Sequence, residues 1–327
     1  MSQPTSNTSL SLSARLFCYL GPPSAILLTS LASSQSALLS PLAFIPSAVC
    51  FQYWKKVNNA DPSRRGELEP LIWTYASVGT IGLAGAAITQ LGICYAAATA
   101  LFGSGEPRTF FFDQLQRTTT AGLTMDELTR RAALAASWQN WVFNGIFTFI
   151  AAGLVEETLK VLPIAYARRR GTPEDRKPRD MAYIDYALAG ALSFGVVECI
   201  GSIYGACVDG QKSLPKILLT LFERVVIGSF GHLLLGSSTA IRAIRKDYCG
   251  EGLSWWSVIA PSVISHGAFN FVAISCSTLE GNVGWIHPTS TKISAAMLGA
   301  LAGVIGLTIW QVRRDWRLVN EYDGKQK

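Results

Sequence analysis

Apolar residues fall into eight runs along the chain, at about 15–31, 36–54, 70–102, 138–167, 182–208, 216–241, 255–276 and 292–312. A helix needs roughly 20 apolar residues to cross a hydrocarbon core about 30 Å thick, and most of these runs reach that length. The pattern predicts an all-α fold, a polytopic integral membrane helical bundle of about eight transmembrane helices. Pro22, Pro23, Pro41 and Pro46 blur the ends of the first two runs, and Ser33-Ser34-Gln35 is the expected break between them. The run at 70–102 is long enough for a tilted or a broken span. Residues 1–14 are polar and Ser-rich and are expected to form a disordered tail. Residues 103–137 form the longest polar segment between runs, where Thr124 and Glu127 have the spacing of a capping box opening a short helix.

Charge adds a topology. Of the 327 residues, 49% are hydrophobic and 15% charged, against about 25% charged in soluble domains. The positive charges are clumped. Lys55, Lys56, Arg64 and Arg65 follow the second run, and Arg168, Arg169, Arg170, Arg176, Lys177 and Arg179 the fourth. Arg242, Arg245 and Lys246 follow the sixth, and Arg313, Arg314 and Arg317 the eighth. The segments after runs five and seven carry almost none. Lys and Arg collect in cytoplasmic loops, so eight spans place every basic segment on one side. Both termini are then expected in the cytoplasm and 103–137 outside it. The net charge of +6 is spent in these loops, and nucleic acid is not an expected partner. The first fourteen residues lack the basic start of a signal peptide, so the N-terminus is expected to stay attached. The seven cysteines include no CxxC pair. Most lie in apolar runs, where a thiol acts as a small hydrophobe, and no disulfide framework or zinc ribbon is read from them.

Ionisable residues inside a span are costly and mark function by default. The fourth run holds Glu156, Glu157 and Lys160, the fifth Glu198, the sixth His232, and the seventh His266 with Asn270 one turn on. At 1.5 Å per residue, Glu156 lies roughly 18 Å from Arg168, Glu198 roughly 24 Å from Ala182, His232 roughly 15 Å from Arg242 and His266 roughly 17 Å from Trp255. Four helices of alternating direction thus bring polar groups to a similar depth. Residues four apart share a helix face, which pairs Glu156 with Lys160, Phe194 with Glu198 and His266 with Asn270. Bland readings compete with these. Lys160 is expected either to serve the site or simply to neutralise Glu156 across one turn. Arg224, beside Glu223 near the outer interface, suits a snorkelling side chain. Asp185 suits a cap, Tyr183 an aromatic belt and Cys199 packing.

The polar residues resemble the motif set of the PrsW family of intramembrane proteases, part of the larger group containing the CAAX prenyl endopeptidases. EExxK stands as Glu156-Glu157-Thr158-Leu159-Lys160, and FxxxE as Phe194-Gly195-Val196-Val197-Glu198. An Arg followed by a Gly-His pair stands as Arg224 with Gly231-His232, and HxxxN as His266-Gly267-Ala268-Phe269-Asn270. All four occur in the family's order, each in its own run, within about 140–275. The prenyl endopeptidase branch has His where Glu198 stands, so a prenylated substrate is not implied. The resemblance implies an intramembrane endopeptidase that cuts membrane proteins in or near the bilayer, with the lipid bilayer and a transmembrane protein substrate as partners. The apolar runs, the charge pattern and the extent of the motifs together give an expected domain order of tail 1–14, N-terminal helices with a long external loop 15–137, catalytic core 138–276, and last helix with basic tail 277–327.

Peptide hydrolysis needs a nucleophilic water, a proton carrier for the leaving amine and an oxyanion donor. Glu156 or Glu157 is the candidate base. Consecutive helical residues point about 100° apart, so one of the two is expected to face the site. His232 and His266 would orient the water or bind it through a metal, Glu198 would be a second carboxylate or ligand, and Asn270 would serve the oxyanion. Glu and His donors suit zinc, with His232, His266 and Glu198 the candidate ligands, although no HExxH is present. The wider group includes members described as metal-dependent and as metal-free glutamate enzymes. A transporter or proton relay also uses midplane Glu and His, but no inverted repeat or pair of broken helices accompanies them here. The remaining alternative is a catalytically silent homologue that binds membrane partners, against which retention of all four motifs counts.

Overall fold

The computed structural model describes residues 10–31, 33–60, 62–170, 180–208 and 214–325, and contains no strand among them. The basic residues Arg176, Lys177 and Arg179 and most of the expected tail lie outside the described residues. Eleven helices are described. Helix α1 is Leu12–Thr29, α2 Ser34–Ala60 and α3 Leu68–Phe102. Helix α4 is Glu106–Leu115, α5 Met125–Ala136, α6 spans 138–159, and α7 is Leu162–Arg170. Helix α8 is Asp180–Val208, α9 spans 214–247, α10 is Trp255–Leu279 and α11 Thr291–Lys325. Six of them, α2, α3, α8, α9, α10 and α11, are long and apolar enough to cross a membrane. The other two expected runs form α1, 18 residues with Pro22 and Pro23 inside it, and the broken pair α6–α7. The protein is an all-α polytopic membrane bundle.

The breaks have local causes. Ser11 caps α1 through a bond from the Ala14 amide, so the helix begins inside the expected tail. Ser33 caps α2 in the same way, at the expected break. Around Pro41 the turns of α2 tighten into a 3₁₀ stretch, Ser40–Phe44. The capping box at Thr124 and Glu127 is present with both of its bonds, and it opens α5. Helix α4 has Pro107 in its first turn, where a missing N–H costs nothing. The run expected at 138–167 does not continue unbroken: α6 ends at Leu159, a turn follows, and α7 begins at Leu162. Pro163 lacks the N–H that would bond Leu159 and clashes with that turn.

The chain divides into two compact units, residues 1–83 with 162–236 and residues 84–161 with 237–327. In the first unit α8 is the central helix, packed by Leu68–Ser77, α7, and the 214–228 part of α9. Its apolar seam joins Val196, Cys199, Ile203 and Ala206 to Ala43 and Ile217. Tyr183 is also buried there rather than belted at an interface. Small residues bring α8 and α9 together, since a Cβ on Gly236 would stand 3.1 Å from the Ala191 methyl. In the second unit α10 is central, against α6, α5 and α11. Phe111 stacks on Phe102 at 4.2 Å and meets Phe143 edge-on at 4.7 Å, closing a cluster with Ala98, Ala135 and Val283.

Polar clasps join the segments between spans. In the first unit Arg64 grips Asp180, the Ala182 amide donates to the Arg64 carbonyl at 2.9 Å, and Asp185 accepts from Arg65 and the Gly66 amide. Asp185 is therefore a lock on the 64–66 loop rather than a helix cap. In the second unit Arg131, 1% exposed, donates to the Gln114 carbonyl and side chain and to the Val283 carbonyl, each at 2.8 Å. Burial, then the neighbouring Arg117, bring its guanidinium down to about 10. Asp315 accepts from both Arg242 and Arg245. The first clasp joins the segments after runs two and four, the second those after runs three and seven, and the third those after runs six and eight.

Candidate functional site

In the second unit Glu156 and Glu157 stand just past a π-helical stretch, Ile146–Leu154. Such widened turns are frequent at functional positions. Helix α10 crosses here closely, at two glycines. A Cβ on Gly267 would lie 2.2 Å from the Phe149 ring, and one on Gly153 would lie 3.0 Å from the Val263 carbonyl. This close approach brings His266 onto the acids. Its Nδ1 is 2.8 Å from Glu157 Oε1, and its Nε2 is 3.7 Å from Glu156 Oε2. Both carboxylates, not one, therefore face the imidazole. The ring presents a nitrogen on each edge, and the two edges bridge the rotation between consecutive helix positions.

Lys160 Nζ donates to Glu157 Oε1 at 2.6 Å, so the ion pair runs three residues back to Glu157 rather than the expected four to Glu156. Lys160 and Glu157 are both 0% exposed, Glu156 4% and His266 8%. Glu156 Oε1 accepts from Gln90 Nε2 on α3 at 2.9 Å. With both acids ionised and His266 neutral, these groups carry one net negative charge. An apolar surround penalises such a charge unless it is paired and hydrogen-bonded. Asn270 follows His266 by one turn and is half-buried.

In the first unit His232 Nε2 lies 2.9 Å from Glu198 Oε2. The Phe194 ring stands 5.8 Å from the imidazole, and a Cβ on Gly195 would reach within 3.2 Å of His232 Cδ2. Glycine in the FxxxE motif thus makes room for the histidine of the next helix. Arg224 is exposed, on the π-helical stretch Glu223–Gly228. The sequence reading missed Gln90. Its signal was a side-chain amide, the only one in the apolar stretch Leu83–Phe102, where an unpartnered polar group is costly.

Helices of this length and hydropathy, with buried acids and histidines on their inner faces, define an integral multi-pass membrane protein with an ionisable interior. The chain matches the family described as "PrsW family intramembrane metalloprotease" over residues 108–305, more than half its length, and belongs to that family. All four motifs lie inside the match and Gln90 outside it. Comparisons with curated proteins and with solved structures returned no match.

The family description raises a metal. Carboxylate and imidazole suit zinc, and Glu157 Oε2 is buried with no hydrogen-bond partner among the described residues. Lys160 and His266 both converge on the other oxygen of that carboxylate, Oε1. Among the described residues no three His, Cys, Asp or Glu side chains converge to hold an ion. The expected donors His232 and Glu198 belong to one unit and His266 to the other. Within either unit the described side chains complete no three-donor set, and the family description is compatible with zinc.

Proposed function

We propose that this chain is an intramembrane endopeptidase whose water-activating centre is Glu156, Glu157 and His266. The observation that carries the reading is the shared imidazole: His266 is held by Glu157 through Nδ1 and faces Glu156 through Nε2. Glu157, gripped by Lys160, is a fixed anion that keeps the proton of His266 on Nδ1. A water about 2.8 Å from both Glu156 Oε2 and His266 Nε2 satisfies ordinary hydrogen-bond geometry. Glu156 takes a proton from that water, and the water oxygen bonds to the scissile carbonyl carbon. As the carbon–nitrogen bond breaks, the proton passes to the leaving amine, giving a new carboxyl end and a new amino end. Asn270 is proposed to donate to the oxyanion.

By residue type and motif order, Glu198 and His232 are proposed as a second acid–imidazole pair required for activity, with Phe194 and Arg224 supporting it. The basic segments support an orientation with both termini cytoplasmic, and a transmembrane protein is the proposed substrate. The test is cleavage of a single-span reporter by the purified protein in lipid vesicles. Cleavage lost in Glu156→Gln and His266→Ala supports the reading. A parent protein that moves protons across the vesicle wall without cleaving overturns it in favour of a transporter.

A further inference from the structure

We infer that Gln90 is a positioning residue for the peptidase centre, holding Glu156 as the carboxyl that carries the proton. This rests on the catalytic reading above and deepens it by separating the roles of two adjacent acids. Gln90 sits on α3, ahead of the residues matched by the family, and bonds Glu156 Oε1 at 2.9 Å. That contact leaves Oε2 as the oxygen toward His266 Nε2.

The chemistry of the two partners differs. An ammonium only donates, so Lys160 suits an acid that stays ionised. A carboxamide donates through nitrogen and accepts through oxygen. Turning it over by 180° lets Gln90 serve Glu156 as a carboxylate or as a carboxylic acid. A base that must gain and then give up one proton in each turnover needs such a partner. The amide is also neutral, so it holds the carboxyl without fixing its charge. A purely structural account makes Gln90 interhelical glue, and the two accounts separate on kinetics.

The experiment uses the full chain in lipid vesicles and a single-span reporter with a fluorophore and quencher flanking its helix. Gln90→Met keeps length and removes the amide, while Gln90→Glu restores a group able both to donate and to accept when protonated. Gln90→Met is expected to lower kcat roughly ten- to a hundredfold, as for a lost hydrogen bond to a charged group, with KM and Tm held. Gln90→Glu is expected to regain part of that loss in mildly acidic buffer and none in alkaline buffer. In a Glu156→Gln background, Gln90→Met should have no further effect. A wild-type kcat in Gln90→Met, or losses that add in the double variant together with a lower Tm, overturns the inference. Unchanged cleavage by Glu156→Gln alone, or no cleavage by the parent, instead overturns the catalytic reading, and this inference falls with it.

Discussion

Glu157 and Lys160, one helical turn apart and both fully buried, form an ion pair of 2.6 Å whose carboxylate oxygen also meets His266. The pair does two jobs, balancing charge in an apolar surround and fixing the imidazole. Removing one partner of a buried pair typically costs about 3–5 kcal/mol, because the other charge is left uncompensated. Glu157→Gln is therefore expected to lower both thermal stability and activity. Adding Lys160→Met should restore most of the Tm and none of the cleavage. Recovery of cleavage along with Tm would reduce Glu157 to a structural counter-ion. Thermal scans and reporter cleavage on the same samples read both quantities.

Glu156 stands apart from this pair because its amide partner, Gln90, is neutral. Its replacement by Gln keeps side-chain length and hydrogen-bonding capacity toward that amide, so Tm should hold.

Metal dependence can be read without activity. A ligand bound only by the folded state raises its stability by mass action. Since Lys160 and His266 already occupy Glu157, dialysis against a chelator is expected to leave Tm unchanged, and added zinc should not raise it. A Tm that falls on chelation and recovers with zinc would show donors gathering around an ion.

The clasps between inter-span segments give the topology a mechanical form. Single cysteines introduced near Lys56 and Arg317 are expected to label from the cytoplasmic side, and ones near Gly122 and Gly281 from the opposite side. Labelling of Lys56 and Gly122 positions from the same side would break the alternation. Asp315→Ala should expose the α11 segment around Arg314, because Arg242 and Arg245 lose their shared acceptor. That exposure is measured by proteolysis of the C-terminal segment.

Much of this was legible in the chain because a membrane simplifies the reading. A polar residue in an apolar run announces itself, which is why Glu156, Glu157, Glu198, His232 and His266 stood out before any coordinates. The family resemblance fell on the same residues. Gln90 escaped because amides were weighed only beside an ionisable residue, as Asn270 is beside His266, although an amide alone in mid-span is subject to the same cost. The break before α7 was written in Pro163, but hydropathy does not fall there and the run reads as continuous. Lys160 had two acids within reach, since positions three and four apart are both neighbours on a helix. The π-helical stretches at Ile146–Leu154 and Glu223–Gly228 leave no mark in the pattern, because periodicity assumes the regular turn that they abandon. Arg242 and Arg245 looked like loop charges, and their acceptor, Asp315, lies about seventy residues further on.

The central claim is that Glu156 is the base that activates water. Its most direct test is kcat/KM for the single-span reporter in lipid vesicles, compared between the parent and Glu156→Gln, with Tm measured on the same preparations. Loss of a general base typically costs 10²–10⁴-fold, so the expected result is a drop of at least about a hundredfold at unchanged Tm. A Glu156→Gln protein that is equally stable and cleaves the reporter at the parent's rate would contradict the account.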